Sequence, residues 1–185
     1  SDVYKRQVEG YGMSEASPVI CTGPLDGTNR PGTVGMPLPD TDVRIVDAET
    51  GQHSLPPGEV GELVVKGPQV MIGYWKNAEA TAEVIRDGWL HTGDLGAMDE
   101  DGYVKIVDRK KDLIITSGFN VYPTDVEAVL RQCPHIEDVA VIGEPDPICG
   151  EVVKAVISVK KNGAFDRASF DAFVTEHLAK HKRPR

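Results

Sequence analysis

Asp108-Arg109-Lys110-Lys111-Asp112-Leu113-Ile114-Ile115-Thr116-Ser117-Gly118-Phe119-Asn120-Val121-Tyr122-Pro123 is the stretch on which the reading of this chain turns. A charged cluster gives way to a short apolar, β-branched run, then to a Gly-containing turn, and then to a proline suited to the first turn of a helix. The pattern predicts a hinge that delivers a loop to a site, with a domain boundary at Arg109 to Asp112. Before it, Thr41 to Ala97 is β-rich: Val43 to Val46 and Glu62 to Lys66 are β-branched runs, and Pro56-Pro57-Gly58 turns between them. One helix is expected there, roughly Asn77 to Arg86, with Asn77 as its cap. Asp99-Glu100-Asp101-Gly102 predicts a hairpin between Gly96–Met98 and Tyr103–Val107. After Arg109 strands and helices alternate: Leu113 to Thr116, a helix from Pro123 to about Gln132, Val139 to Gly143, Val152 to Lys160, and a helix from about Arg167 to Lys180. This second part reads as a separate α+β unit. Phe170, Phe173, Val174 and Leu178 recur at helical spacing and mark its core stripe.

Composition narrows the function. The 185 residues are 40% hydrophobic and 26% charged, an ordinary balance for a globular protein, with a net charge of -9. An acidic chain of this kind argues against a nucleic-acid partner, because phosphate backbones are bound by concentrated positive charge. No apolar run approaches the ~20 residues that span a bilayer, and the first residues lack the apolar core of a secretory signal. A cytoplasmic protein is expected. Cys21, Cys133 and Cys149 have no Cys-x-x-Cys spacing and are expected to be reduced, mostly buried thiols. His177 and His181 are four apart but have no Cys or acidic ligands beside them, so they read as a wet helix end rather than a metal site.

Four groups of residues carry chemistry by type. In Tyr11-Gly12-Met13-Ser14-Glu15 an aromatic ring suits a purine, a hydroxyl suits a phosphate oxygen and a carboxylate suits Mg²⁺. In Thr92-Gly93-Asp94 a carboxylate follows a glycine, where its two oxygens are placed to accept from a vicinal diol such as ribose. Arg109 offers a planar fork of donors to ribose or phosphate oxygens. Gly118 allows close approach of backbone to a ligand. Each also fits a structural role: a buried Tyr with a solvated Glu, an Asp stabilising a turn, a surface ion pair of Arg109 with Asp108 or Asp112, a simple turn before Phe119. Gly61-Glu62-Leu63 and Gly67-Pro68-Gln69-Val70-Met71-Ile72-Gly73-Tyr74-Trp75 read as scaffold.

Taken in order, Tyr11–Glu15, Gly88-Trp89-Leu90-His91-Thr92-Gly93-Asp94 and Val107 to Pro123 resemble the adenylate-forming superfamily of acyl-CoA synthetases, most of all its bacterial long-chain fatty acyl-CoA branch. The resemblance runs from about Gly10 to the end of the chain. It implies an α/β and α+β fold: the β-rich end of a large AMP-binding domain (residues 8–109), a hinge (110–112) and a small mobile α+β lid domain (113–185), truncated before its late lysine. Residues 1–7 read as a non-native leader. In such an enzyme Tyr11 and Gly12 lie against adenine, Ser14 contacts the α-phosphate, Glu15 holds Mg²⁺, Asp94 and Arg109 bind ribose, and Lys111 is the pivot. Gly118 belongs to the loop that meets the pantetheine tunnel. Ser14 and Glu15 are thereby the catalytic candidates.

The activity implied is ATP-dependent conversion of a long-chain fatty acid to an acyl-adenylate and then, with coenzyme A, to acyl-CoA, AMP and pyrophosphate. The implied partners are ATP, Mg²⁺, coenzyme A and the fatty acid, with transient peripheral contact at the inner membrane face. The alternatives are another carboxylic acid:CoA ligase, acting on medium-chain or aryl acids, and a non-catalytic nucleotide-binding or interaction module of the same fold. The family's phosphate-covering loop, most of its fatty-acid tunnel and its late lysine have no counterpart within these 185 residues, so the chain alone is expected to be inactive in adenylation. Acyl chain length and oligomeric state are not legible.

Overall fold

The computed structural model describes residues 7–26, 28–160 and 165–185. The expected leader therefore lies, for residues 1–6, outside the described residues. The chain divides into two compact units, 1–110 and 111–185, and each has its own core.

The first unit contains two antiparallel sheets. β1 (Gly10–Gly12), β2 (Val19–Thr22) and β3 (Met36–Pro37) form the smaller, in that order. The larger contains β4 (Asp42–Val46), β5 (Gly61–Lys66), β6 (Ile85–Arg86), β7 (Trp89–Met98) and β8 (Val104–Arg109). Its order is β4-β5-β7, with β6 and β8 both pairing with β7. β5 is central, and Leu63, Val64 and Val65 are all buried, as a β-branched run covered on both faces should be. Ile20, Cys21, Ile45, Leu63, Val65, Leu90 and Val104 form its core with Ala16.

Helix α1 (Ala78–Val84) starts as expected, with the Asn77 side chain accepting from the Ala80 amide. It stops two residues before Arg86. Asp87 and Gly88 adopt φ of 51° and 80°, the left-handed pair of a two-residue hairpin turn, so Ile85–Arg86 becomes a strand that folds back on Trp89–Leu90. The Asp-Gly signal outcompetes helical propensity. The later hairpin forms as expected, Met98 pairing with Val104, and the Asp99 carboxylate accepts from the amides of Asp101 and Tyr103 inside its loop.

The second unit is a sheet of β9 (Ile114–Thr116), β10 (Phe119–Val121), β11 (Ile136–Asp146) and β12 (Gly150–Val159), in the order β10-β9-β12-β11. It is accompanied by α2 (Pro123–Leu130) and α3 (Arg167–His177). Ser117 and Gly118, with φ of 50° and 81°, close a tight hairpin between β9 and β10, a strand that sequence reading treats only as loop. The long β11–β12 hairpin runs from the Ile136–Val159 pair to Asp146–Gly150, well beyond the expected Val139–Gly143. Pro123 opens α2. In α3 the Asp166 side chain caps the amides of Ala168 and Ser169, and Phe170, Val174 and Leu178 are buried on the predicted stripe against Val126, Leu130 and Val153.

That last helix ends at His177, short of Lys180, because Leu178 turns extended to reach the core. His177 consequently stacks on Phe173, while His181, in a 3-10 turn, stacks on Phe119. The two imidazoles serve different aromatic contacts. Cys21 and Cys133 are buried, Cys149 is partly exposed, and all three are free thiols.

Candidate functional site

The site begins with a bulge. β5 and β7 pair Glu62 with Leu95 and Val64 with His91, so Leu63 alone stands opposite Thr92, Gly93 and Asp94. The ladder has no place for the surplus residues, and local side chains take over its bonds. The Thr92 hydroxyl donates to the Leu63 carbonyl at 2.8 Å, and accepts from the Asp94 amide at 3.1 Å. Gly93 adopts φ +72° with nothing near the position of a Cβ, so its glycine answers a backbone requirement rather than a steric one.

The bulge turns Asp94 toward two partners from separate strands. Tyr11, on β1, donates its hydroxyl to Asp94 Oδ2 at 2.5 Å. Arg109, opposite Asp94 in the β7–β8 register, brings Nε to 3.7 Å from Oδ1. Arg109 is largely exposed, so this pair is a loose, solvent-screened one. Burial and the Asp94 carboxylate push the Tyr11 phenol above its ordinary value, and it remains a neutral donor at physiological pH.

Glu15 follows in the 3-10 turn Ser14–Ala16. Its Oε1 accepts from the Tyr74 hydroxyl at 2.8 Å, and its carbonyl accepts from the Met71 amide at 2.8 Å. The segment Gly67–Trp75 thus fixes Glu15 in addition to packing. The Glu15 contact, with some burial, raises the Tyr74 phenol above its ordinary value. Ser14 is exposed at the start of the same turn. No group of three or more His, Cys, Asp or Glu side chains among the described residues forms a metal cage. A single carboxylate such as Glu15, bonded to Tyr74 through Oε1, fits Mg²⁺, which keeps waters and takes its other ligands from phosphates.

Gly12 has a packing explanation of its own: a Cβ there would fall 1.8 Å from the Pro18 carbonyl oxygen. Lys111 is exposed in the 3-10 turn Lys110–Asp112 and is the first residue of the second unit. Gly118 lies within that unit, with φ +81° and open space at the Cβ position. Tyr11, Asp94 and Arg109 are brought together, Glu15 is held by Tyr74, and Gly118 answers to its own hairpin.

Three residues behind the bulge escape sequence reading. Glu62 is 3% exposed. Its Oε1 accepts from the Gly93 amide at 3.3 Å, and its Oε2 accepts from Lys110 Nζ at 2.8 Å. His91 Nδ1 lies 3.3 Å from the same oxygen, off the line of a well-formed hydrogen bond and without another partner among the described residues; the contact is close rather than aligned. Burial opposes the charge on Glu62, but Lys110 and His91 outweigh it and hold the carboxyl below its ordinary value. In the sequence Glu62 stands at the head of the apolar run Leu63-Val64-Val65, where an acid reads as an ordinary strand end.

A β-rich unit thus gathers a phenol, a carboxylate and a guanidinium at a strand bulge, and a small α+β unit follows it in the chain. Residues 2–75 match the family model of the AMP-binding enzyme, and residues 125–185 match that of the AMP-binding enzyme C-terminal domain. The chain belongs to the AMP-binding enzyme family. It is 51% identical over 178 residues to a long-chain-fatty-acid–CoA ligase of Bacillus subtilis, covering 96% of this chain and 32% of the relative. It is 47% identical over 179 residues to a feruloyl-CoA synthase of Amycolatopsis, covering 96% and 36%. Among solved structures, ATP-bound MatB of Rhodopseudomonas palustris aligns with a TM-score of 0.88 at 44% identity, over 96% of this chain and 35% of that one. The chain spans about a third of the length of the curated relatives it matches.

Proposed function

We propose that this chain is the nucleotide-binding and hinge portion of an ATP-dependent carboxylic acid:CoA ligase, with a long-chain fatty acid as the acid. The observation that carries the reading is the meeting of Tyr11, Asp94 and Arg109 from three different strands. Asp94 presents an anchored carboxylate, with acceptor capacity left for the vicinal hydroxyls of a ribose. Tyr11 orients that carboxylate and offers its ring to the adenine, beside Gly12. Arg109 donates to ribose or phosphate oxygens as charge gathers there.

In this reading Ser14 would donate to the α-phosphate and Glu15 would hold Mg²⁺, which on binding would screen the phosphate charge. The acid's carboxylate attacks the α-phosphorus and pyrophosphate departs, leaving AMP as the group that a CoA thiol then displaces. The second step calls for movement of the small unit about Lys111, bringing the Gly118 turn to the thiol path. Three free thiols fit a reducing, cytoplasmic setting, with passing membrane contact during uptake of the fatty acid.

Seven of the relatives compared carry the long-chain fatty acid name, which favours that substrate. Feruloyl-CoA synthase at similar identity keeps an aryl acid as the second reading. ATP–pyrophosphate exchange by a full-length ligase containing this segment separates the two. Exchange driven by palmitate or oleate and not by ferulate is expected, and exchange with ferulate alone would replace the fatty acid by an aryl acid. No exchange with any acid, alongside retained AMP binding, would favour a non-catalytic nucleotide module.

A further inference from the structure

We propose that Glu62 is a positioning residue, its one buried carboxylate holding both the Thr92-Gly93-Asp94 bulge and the last residue of the first unit, Lys110. The inference rests on the reading of Asp94 as the ribose ligand and adds to it a residue that never touches the nucleotide.

A carboxylate between Gly61 and Leu63 on a central strand loses its hydration, and such burial is a poor source of stability unless its lone pairs find donors. Among the described residues Glu62 finds aligned donors at two places. One is the Gly93 amide, which the bulge removes from the ladder because Leu63 faces three residues at once. Without the carboxylate this N–H loses its acceptor, and the left-handed Gly93 that aims Asp94 loses its restraint. The other is Lys110 Nζ.

Lys110 follows Arg109, the partner of Asp94, and precedes Lys111, where the second unit begins. The last residue of β8 and the first of the 3-10 turn after it are therefore tied to neighbouring parts of the same structure, Arg109 to Asp94 and Lys110 to the carboxylate behind it. Glu62 sets where the rigid part of the first unit stops, so that turning begins at Lys111 without dragging Asp94. The charged and titratable groups facing Glu62 are Lys110 and His91.

The test compares E62Q, K110M, K110R, the E62Q/K110M double variant and D94N in the 185-residue chain, by residue-resolved amide hydrogen exchange and by titration with AMP. E62Q is expected to raise exchange about tenfold or more at Gly93 to Leu95 and at Lys110 to Asp112, with β4 unchanged, and to weaken AMP binding about tenfold. K110M should do the same, the double variant should be no worse than either single one, and K110R should recover near wild-type behaviour. That recovery and non-additivity are beyond a residue that merely fills space.

If D94N weakens AMP binding while E62Q and K110M leave it and the exchange unchanged, the positioning role is wrong and the ribose reading stands. If D94N has no effect, or the chain binds no AMP, the ribose reading fails for this chain, and exchange at Gly93 alone decides: raised in E62Q it upholds the tie, unchanged it overturns it. Should E62Q not fold, the K110M and K110R pair decides between the same two outcomes.

Discussion

The Tyr11 hydroxyl donates to Asp94 Oδ2 at 2.5 Å, joining residues 83 positions apart. The bond fixes one carboxylate oxygen and leaves the other facing Arg109. Tyr11→Phe keeps the ring and removes only the donor, so it is expected to cost about 1.5–3 kcal/mol, the worth of a hydrogen bond to a charged group. Urea denaturation followed at Trp89 measures it, and a cost indistinguishable from zero would mean that water replaces the phenol without loss.

Gly12 and Gly118 are expected to respond differently to the same substitution. A methyl at Gly12 would fall 1.8 Å from a backbone oxygen, whereas at Gly118 it meets open space and only φ +81° resists it. Gly118→Ala should cost about 1–2 kcal/mol, the penalty for a side chain in the left-handed region. Gly12→Ala should cost more, because β1 and the turn after it must shift. Thermal unfolding of both variants gives the order, and an equal effect would contradict it.

Leu130 is fully buried in the second unit, and its core shares no residue with that of the first. Leu130→Ala is expected to destabilise the second unit by about 2–5 kcal/mol. Amide exchange should rise through β9–β12 and α2–α3 while β4, β5 and β7 stay protected. A uniform rise over both units would show a single cooperative fold instead.

The Glu62 carboxyl is held below its ordinary value by Lys110 and His91 against the opposing effect of burial. A depressed folded value stabilises the protein above the unfolded value, ~4.3 for Glu, and that contribution disappears as pH falls through the lower folded value. The stability advantage of wild type over Glu62→Gln should be present at pH ~7 and shrink below pH ~4. The other acids cancel in this difference, and an advantage independent of pH from about 3 to 6 would contradict it.

Much of the fold is legible in residue order. Val43–Val46, Glu62–Lys66 and the Phe170–Leu178 stripe fall where periodicity puts them, and Asn77 and Pro123 open their helices. Boundaries fail where a local turn competes with a longer pattern, as Asp87-Gly88 does by ending α1 at Val84. Tyr11, Asp94 and Arg109 are visible as motif residues, but Glu62 is not, since an acid in a strand has no distinguishing mark until its burial is known.

By itself the sequence determined what depends on neighbours a few residues away: turns at Asp-Gly and Ser-Gly, strand and helix periods, and the motifs that place the chain in its family. Only the tertiary structure decided which distant side chains meet. The contact of Glu62 with Lys110 across 48 positions, and that of Tyr11 with Asp94, exist because β5 and β7 pair with three residues facing one. Such a register is selected by the packing of the whole unit, and side-chain direction alternates at every residue of a strand, so an offset invisible in local preference determines which groups share a site.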